Sequence, residues 1–496
     1  ALPQPGRLQF KPFTLSGVQR EFDEHLPYEE KLDLGFDAKY RLTTNLTTDI
    51  SFNTDFAQVE ADQEQANLTR FELFFPEKRD FFLEGAGIFR FGERTFSPLF
   101  PASVLFFSRR IGLSEDNEPV SLYGGVRITG KTAGFNVGML NMTAKRTSYI
   151  NDDDEPVTVP KTNFSVLRIQ KDILRNSSIG FMGLNQESLD DKDYDRAFGV
   201  DANIFLSNNA QVGGFLATTS SPDYSGRNFA AYGDFLYIDD FKTILLTQNT
   251  IGDNFEPEMG FLPRTGIRKT EVNVGISPRP GILDIRQIFF FSDFYYITNQ
   301  QSRLETRTNF SGFYSLFNSG AALFGIFIQN YEWLDEDFEI HDDLNILPGI
   351  YRYNNFFGEF QSDQSKPISG RLGLNAGDFY DGDMVSYVLG MNLKFGSKLT
   401  LSFDLNYNDV NVTAGSFRTT IIGTRILYTF SPKLFAKAFV QWNSDTNDII
   451  GNFLVNFIHT PGSDLFFVYN EELNNEGSLN TDNRTALLKF TYLFNL

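Results

Sequence analysis

The sequence predicts an all-β fold: a transmembrane antiparallel β-barrel of the outer-membrane type, of about 26 strands with 24 as the runner-up, enclosing a plug or constriction segment. Three observations lead there. Apolar and polar residues alternate with period two over stretches of roughly ten to fourteen residues, longer than globular strands usually run. Short turns and long polar loops alternate between those stretches. No apolar run approaches the roughly 20 residues of a membrane helix, and mean hydropathy is -0.25.

Composition narrows the function classes. The chain holds 54 Phe, 20 Tyr and 40 Gly, which suits barrel strands. It holds no Cys, which removes disulfides, thiolate metal sites and Cys nucleophiles together. A net charge of -20 argues against nucleic acid as a partner, because phosphate binding needs clustered Lys and Arg. The start, Ala1 to Gly6, lacks the basic and apolar parts of a signal peptide. An exported barrel is therefore expected to carry a processed or cropped start here.

Taken in order, the clearest strand puts Leu399, Leu401, Phe403, Leu405 and Tyr407 on one face and Thr400, Ser402, Asp404, Asn406 and Asn408 on the other. Val385, Tyr387, Leu389, Met391, Leu393 and Phe395 precede it in the same pattern, across a tight hairpin at Gly396-Ser397. Short turns are expected near Thr43-Asn45, Lys131-Gly134, Leu174-Asn176, Ser207-Asn209 and Ser431-Lys433. Long loops fall at 146–162, 187–195, 253–266, 335–345 and 472–483. With short turns periplasmic, both termini face the periplasm. Parity asks for one extra strand within Gln58–Pro101, since Asn45–Phe56 and Ser103–Arg110 would otherwise run the same way. The last segment places Leu488, Phe490, Tyr492, Phe494 and Leu496 on one face, and the chain stops there. It should close the barrel against the first strand and resembles the terminal signal read by the barrel-assembly machinery.

One stretch, Asn53 to Gly112, differs from everything else. Asp55, Glu60, Asp62, Arg70, Glu72, Glu77, Lys78, Arg79, Glu84, Arg109 and Arg110 lie among Phe71, Phe74, Phe75, Phe81, Phe82 and Phe89. Such charge cannot face lipid, where Lys or Arg costs about 2–4 kcal/mol at the midplane. It suits a lumen, where carboxylates and guanidinium groups pair. A barrel of this size would leak if open, and residues 58–101 are the candidate plug or constriction within a single barrel domain spanning 1–496.

Other motifs carry less. Gly125 to Thr132 fits the P-loop pattern, but Ala133 to Leu140 continues as a strand rather than a helix. His25, His341 and His459 have no zinc-site spacing. Acidic runs at Asp152-Asp153-Asp154-Glu155, Asp190-Asp191-Lys192-Asp193, Asp335-Glu336-Asp337 and Asp342-Asp343 could take Ca²⁺, although solvated loops explain them as well. No other cofactor is expected.

Three segments carry a family resemblance: Phe52 to Asp62, Phe74 to Gly85 and Phe107 to Gly112, with Phe255 to Thr265 continuing it. They resemble an uncharacterised family of bacterial outer-membrane barrels that commonly follow a β-sandwich like carbohydrate-binding-module family nine, widespread in Bacteroidetes. Thr54 and Asp80 stand where that family has Pro, and the sandwich is missing from this chain. The resemblance implies the outer membrane and points toward glycan handling, with no catalytic residues attached.

The leading expectation is a non-enzymatic channel or transporter. A membrane-embedded hydrolase of glycans or lipids and a scaffold barrel of a secretion or electron-transfer complex are the alternatives. The expected partners are outer-membrane lipid or lipopolysaccharide, the assembly machinery, and a protein in the lumen or periplasm.

Overall fold

In the computed structural model the described residues are 6–22, 27–54, 62–94, 102–151, 155–222, 225–341, 344–474 and 479–496. Among them, twenty-four long strands form one closed antiparallel barrel, each hydrogen-bonded to the next in sequence. The first, Leu8–Glu21, closes on the last, Asn480–Thr491, from Phe13 opposite Thr491 to Glu21 opposite Asn483. Phe494–Asn495 extends that ladder against Gln9 and Phe10. Closure leaves no unpaired edge, which is what a sheet surrounded by lipid requires. No helix of the described residues is long and apolar enough to cross a membrane.

The count is twenty-four, not the 26 that parity suggested. Leu46–Phe52 pairs directly with Leu122–Thr132, Leu46 opposite Gly130 and Phe52 opposite Gly124. No strand intervenes among the described residues of 62–121, and Ser103–Arg110 is not a wall strand. Val104 makes isolated bridges to Gly92 and Phe261, and Ser108–Arg110 is a short 3-10 turn. Two expected wall strands therefore disappear together and parity is kept. Gly125 to Thr132 lies in the strand Leu122–Thr132, which turns at Ala133-Gly134 into the strand Phe135–Ala144.

The alternation sorts side chains between two environments. Leu372, Leu389, Met391 and Tyr387 stand exposed on the outer face. Their cross-strand neighbours Leu405, Phe403 and Tyr407 continue that face. The terminal residues Leu488, Phe490, Tyr492, Phe494 and Leu496 are likewise all exposed. The inner face buries polar and charged groups instead: Arg168, Glu271, Asn249 and Asp293 are at most 4 % exposed. An apolar exterior and a polar interior invert a soluble core, as expected of a barrel in lipid.

One end carries the chain termini and tight turns, and the other carries the longer loops. The loop at 335–345 does not simply extend into solvent. Its short hairpin, Phe338–His341 paired with Leu344–Ile346, buries Phe338, Ile340 and Ile346 against Phe379, Met384, Val410, Val412 and Phe417. It therefore folds across the mouth at the long-loop end.

Phe403 and Asn406 test the orientation. Arg at Phe403 is expected to destabilise the barrel by about 2–4 kcal/mol if it sits at the midplane, and Arg at Asn406 by much less. Urea unfolding in lipid vesicles measures both, and equal losses would contradict the assignment of faces.

Candidate functional site

The segment between Phe52 and Leu122 leaves and re-enters the wall at the long-loop end, and its contacts reach far inside. Its centre is a clasp. Arg79 donates from Nε (2.8 Å) and Nη2 (2.7 Å) to the Glu77 carboxylate, and Ser108 Oγ donates to the same group at 2.8 Å. The Lys78 and Arg79 amides also donate to it, at 3.0 and 2.9 Å. Arg79 further donates to the carbonyls of Ile111 (2.6 Å) and Ser108 (2.7 Å), with its guanidinium 4.2 Å from the Phe82 ring centre. Two stretches about thirty residues apart are thus locked together by hydrogen bonds to and from one ion pair. Burial works to raise the Glu77 carboxyl, but Arg79 and the Ser108 hydroxyl outweigh it and hold it below its ordinary value.

Beyond the clasp the chain makes two short turns, Asp80–Leu83 and Ala86–Phe89. Gly85 joins them at φ 73°, a left-handed conformation that favours glycine. This tip docks on the wall through Arg127, which is 2 % exposed. Arg127 donates to Asp49 (2.8 Å), to the Glu84 carbonyl (2.5 Å) and to the Phe81 carbonyl. Lys39 pairs with Glu84 and with Asp49 (3.5 Å). Burial opposes the Glu84 charge, and Lys39 with Arg127 overcomes it, so that carboxyl too is held low. The partners Thr129 and Lys39 lie near the short-turn ends of their strands, so the tip runs most of the barrel's length.

The segment also crosses the lumen. Lys269 pairs with Glu93 at 2.6 Å, and Arg94 approaches Asp234 at 3.7 Å. Arg70 meets Glu332 at 3.3 Å on Ala322–Leu334, the fifteenth barrel strand. The Arg127 strand is the fourth, so these anchors stand eleven strands apart in a ring of twenty-four, almost opposite. Gln441 exchanges hydrogen bonds with the backbone of Asp62 (3.0 Å) and Glu64 (3.2 Å).

Apolar packing completes the docking. Phe82, Phe89, Phe91, Leu105 and Ile111 share a buried cluster with wall residues Met142, Met182, Leu184 and Phe215. Wall glycines make room for it: a Cβ on Gly199 would lie 2.4 Å from the Phe91 ring. The loop after Lys242–Ile251 folds inward as well, exchanging backbone hydrogen bonds of 2.9 Å between Phe261 and Val104. Phe74, Phe107 and Phe261 pack ring against ring, with centroids 5.0 to 5.8 Å apart.

The expected site residues form several small clusters rather than one network. Asp62 pairs with Lys78 (3.0 Å) and Arg109, and Glu72 with Arg110 (2.7 Å). Glu77 holds Arg79, while Glu84 and Arg70 bind wall residues. Asp55 and Glu60 lie outside the described residues. Sequence reasoning missed the wall partners Lys39, Asp49, Arg127, Asp234, Lys269, Glu332 and Gln441. Their signal was faint: single charged or amide residues inside otherwise alternating segments. Among the described residues no three His, Cys, Asp or Glu side chains converge as a metal site would require, and 152–154 and 342–343 fall outside them. Asp190 instead pairs with Arg146 at 3.1 Å.

Residues 4–454 match the model of a family described as a domain of unknown function, DUF5916. A search of curated proteins returns no significant match. Among solved structures, a ferric enterobactin receptor mutant from Pseudomonas aeruginosa in complex with enterobactin aligns with TM-score 0.50 and 8% identity, covering 99% of this chain and 82% of that one. The siderophore receptor PirA from Pseudomonas aeruginosa aligns at 0.49 and 8%, covering 99% and 81%. OccK8 (OprE) from Pseudomonas aeruginosa aligns at 0.32 and 10%, covering 99% and 98%. At these identities the likeness is one of fold.

The depressed Glu77 and Glu84 carboxyls set a pH dependence. Groups held low in the folded state stabilise it above their unfolded pKa and lose that contribution as pH falls through the folded value. Docking of the segment is therefore expected to hold at neutral pH and to loosen as pH falls below the ordinary carboxylate value of 4.5. Limited proteolysis with an acid-active protease should show new cuts within 62–94 there, and Glu77→Gln should show them at neutral pH. Removing one partner of a buried pair costs about 3–5 kcal/mol, and a wet lumen brings the figure toward the lower end or below. Identical digestion of both proteins at every pH would refute the clasp.

Proposed function

The chain belongs to the DUF5916 family, and we propose that this member is an outer-membrane channel or transporter whose lumen is constricted by residues 62–94 and 102–112. The observation that carries this reading is that the segment is anchored on nearly opposite sides of the barrel, its Arg70 to Glu332 on one wall and its Phe81 and Glu84 carbonyls to Arg127 on the other. Roughly 16–18 strands already leave a water-filled channel, and barrels of 22 carry a plug. Twenty-four strands enclose more space than their own side chains can fill.

We place the route for a solute along the wall from Gly349–Gln361 round to the closing strand, which the segment touches through Asp62, Glu64 and Leu68 among the described residues. That wall presents hydrogen-bonding groups inward. Asn355 bonds Asn375 (2.9 Å), Asn408 bonds Thr419 (2.9 Å), and Asp404 lies between Arg371 (3.2 Å) and Arg425 (3.8 Å). Amides, hydroxyls and a carboxylate shared by two arginines suit a neutral, hydroxyl-rich solute such as a glycan. The hairpin Phe338–Ile346 roofs this route at the long-loop end, which we assign to the cell exterior, with the chain termini periplasmic. The hydrolase reading is weaker: Asp62, Glu72, Glu77 and Glu84 are each engaged in an ion pair with a lysine or arginine.

Deleting Asp62–Gly92 removes no wall strand, because Leu46–Phe52 pairs directly with Leu122–Thr132. The deletion is expected to assemble, to raise single-channel conductance severalfold in planar bilayers, and to admit larger oligosaccharides in liposome swelling. Unchanged conductance in an assembled deletion would overturn the constriction.

A further inference from the structure

The outer face carries a feature that neither the lumen nor an apolar girdle explains. Four cross-strand neighbours, Tyr296, Arg307, Tyr331 and Arg352, form a continuous row on adjacent strands. Arg307 lies between Thr306 and Thr308, which face inward at 1 % and 2 % exposure, so its side chain points out. Arg352 is likewise exposed, on the face shared with Ile350 and Phe356. Both guanidinium groups flank the Tyr331 ring, at 5.8 and 5.5 Å from its centre. Just beyond, towards the long loops, Arg303 lies 3.3 Å from the centre of the Trp333 ring.

These arginines differ from Arg418 and Arg484, which also face outward. Arg418 is paired with Asp409 and Arg484 with Glu471. Among the described residues, no carboxylate lies within ion-pair distance of Arg303, Arg307 or Arg352. The acids nearest in sequence are engaged elsewhere: Glu305 with Arg264 and Glu332 with Arg70. Asp378, on the same face, accepts the Asn354 amide. In a chain of net charge -20, three cations without acidic partners share one outward patch.

Their height in the wall says what they meet. Four residues down the same strand from Tyr331 is Phe327, paired with Phe356; both are exposed, at 45 % and 50 %. Four residues span about 13 Å along a strand. The arginines thus stand one headgroup depth above an apolar surface, among Tyr and Trp of the kind that settle at membrane interfaces. Guanidinium forks bind phosphate bidentately, and ring stacking keeps them extended and pre-organised.

We propose that Arg303, Arg307 and Arg352 form a binding site for a phosphorylated lipid of the leaflet at the long-loop end, its phosphate held between Arg307 and Arg352 and its acyl chains lying on Phe327 and Phe356. The site rests on the outer face alone and is independent of what passes through the lumen. Native mass spectrometry of the detergent-purified full chain, titrated with a bis-phosphorylated, acylated glucosamine disaccharide, tests it. The double variant R307Q/R352Q is expected to bind at least fivefold more weakly, while R418Q binds as the parent does. Inorganic phosphate at equal concentration is expected not to compete, since it lacks the acyl chains. Undiminished binding by the double variant, or an equal loss in R418Q, would overturn the site. So would full competition by inorganic phosphate, which would make it an ion site rather than a lipid site. Heat-modifiable gel mobility reports folding; should the double variant not assemble, R307Q and R352Q singly are read by the same criteria.

Discussion

Width is the constraint on which the rest of this structure depends. A barrel's diameter grows with its strand number, and side chains fill the interior only up to about eight strands. At twenty-four, the inner faces cannot touch one another. Polar groups buried on that inner face still need partners, because an unpaired buried charge is costly. Arg127, Lys269 and Glu332 find theirs on a segment of chain inserted between the walls. The segment in turn needs the wall, since a stretch this rich in charge and Phe has neither the periodicity nor the length to fold alone.

The clasp between Glu77 and Arg79 makes that insertion definite. A flexible insert would lose its conformational freedom on docking, at about 1–2 kcal/mol per fixed backbone residue. Arg79 offsets this by tying its own loop to the Ser108–Arg110 turn through two carbonyls as well as Glu77. The apolar cluster around Phe82, Phe91 and Ile111 then adds burial without demanding direction. Direction comes from the ion pairs, and adhesion from the rings. The same division appears on the outer face, where rings lie against lipid and arginines mark the interface.

Much of the wall was legible in the sequence, because period-two alternation is a local signal. The closing strand could be read from Leu488 to Leu496, and the hairpin at Gly396-Ser397 from its turn residues. The error lay in Ser103–Arg110, whose Val-Leu-Phe-Phe run reads as a lipid-facing strand. It is apolar because it packs on the inserted segment and on Phe261, a contact made by residues more than 150 positions away. Within the segment, Glu77 and Arg79 stood out by charge density alone. Their wall partners did not, since Lys39, Asp49 and Arg127 each sit singly in an ordinary alternating strand. Only closure of the barrel places them beside Glu84. Nothing local marked the hairpin Phe338–Ile346 as a roof, because its apolar residues are interrupted by acids that read as solvated loop.

The central claim, that the segment lies docked deep in the lumen, can be measured by cross-linking. The chain has no cysteine, so an introduced pair is unambiguous. A Cβ built on Gly85 would lie 3.6 Å from that of Thr129, within the range a disulfide spans. The left-handed φ at Gly85 adds a cost of about 1–2 kcal/mol, which a docked tip can bear. The account predicts that Gly85→Cys with Thr129→Cys forms an intramolecular disulfide nearly quantitatively on mild oxidation of the membrane-embedded protein. A folded barrel whose two thiols remain unlinked would contradict it.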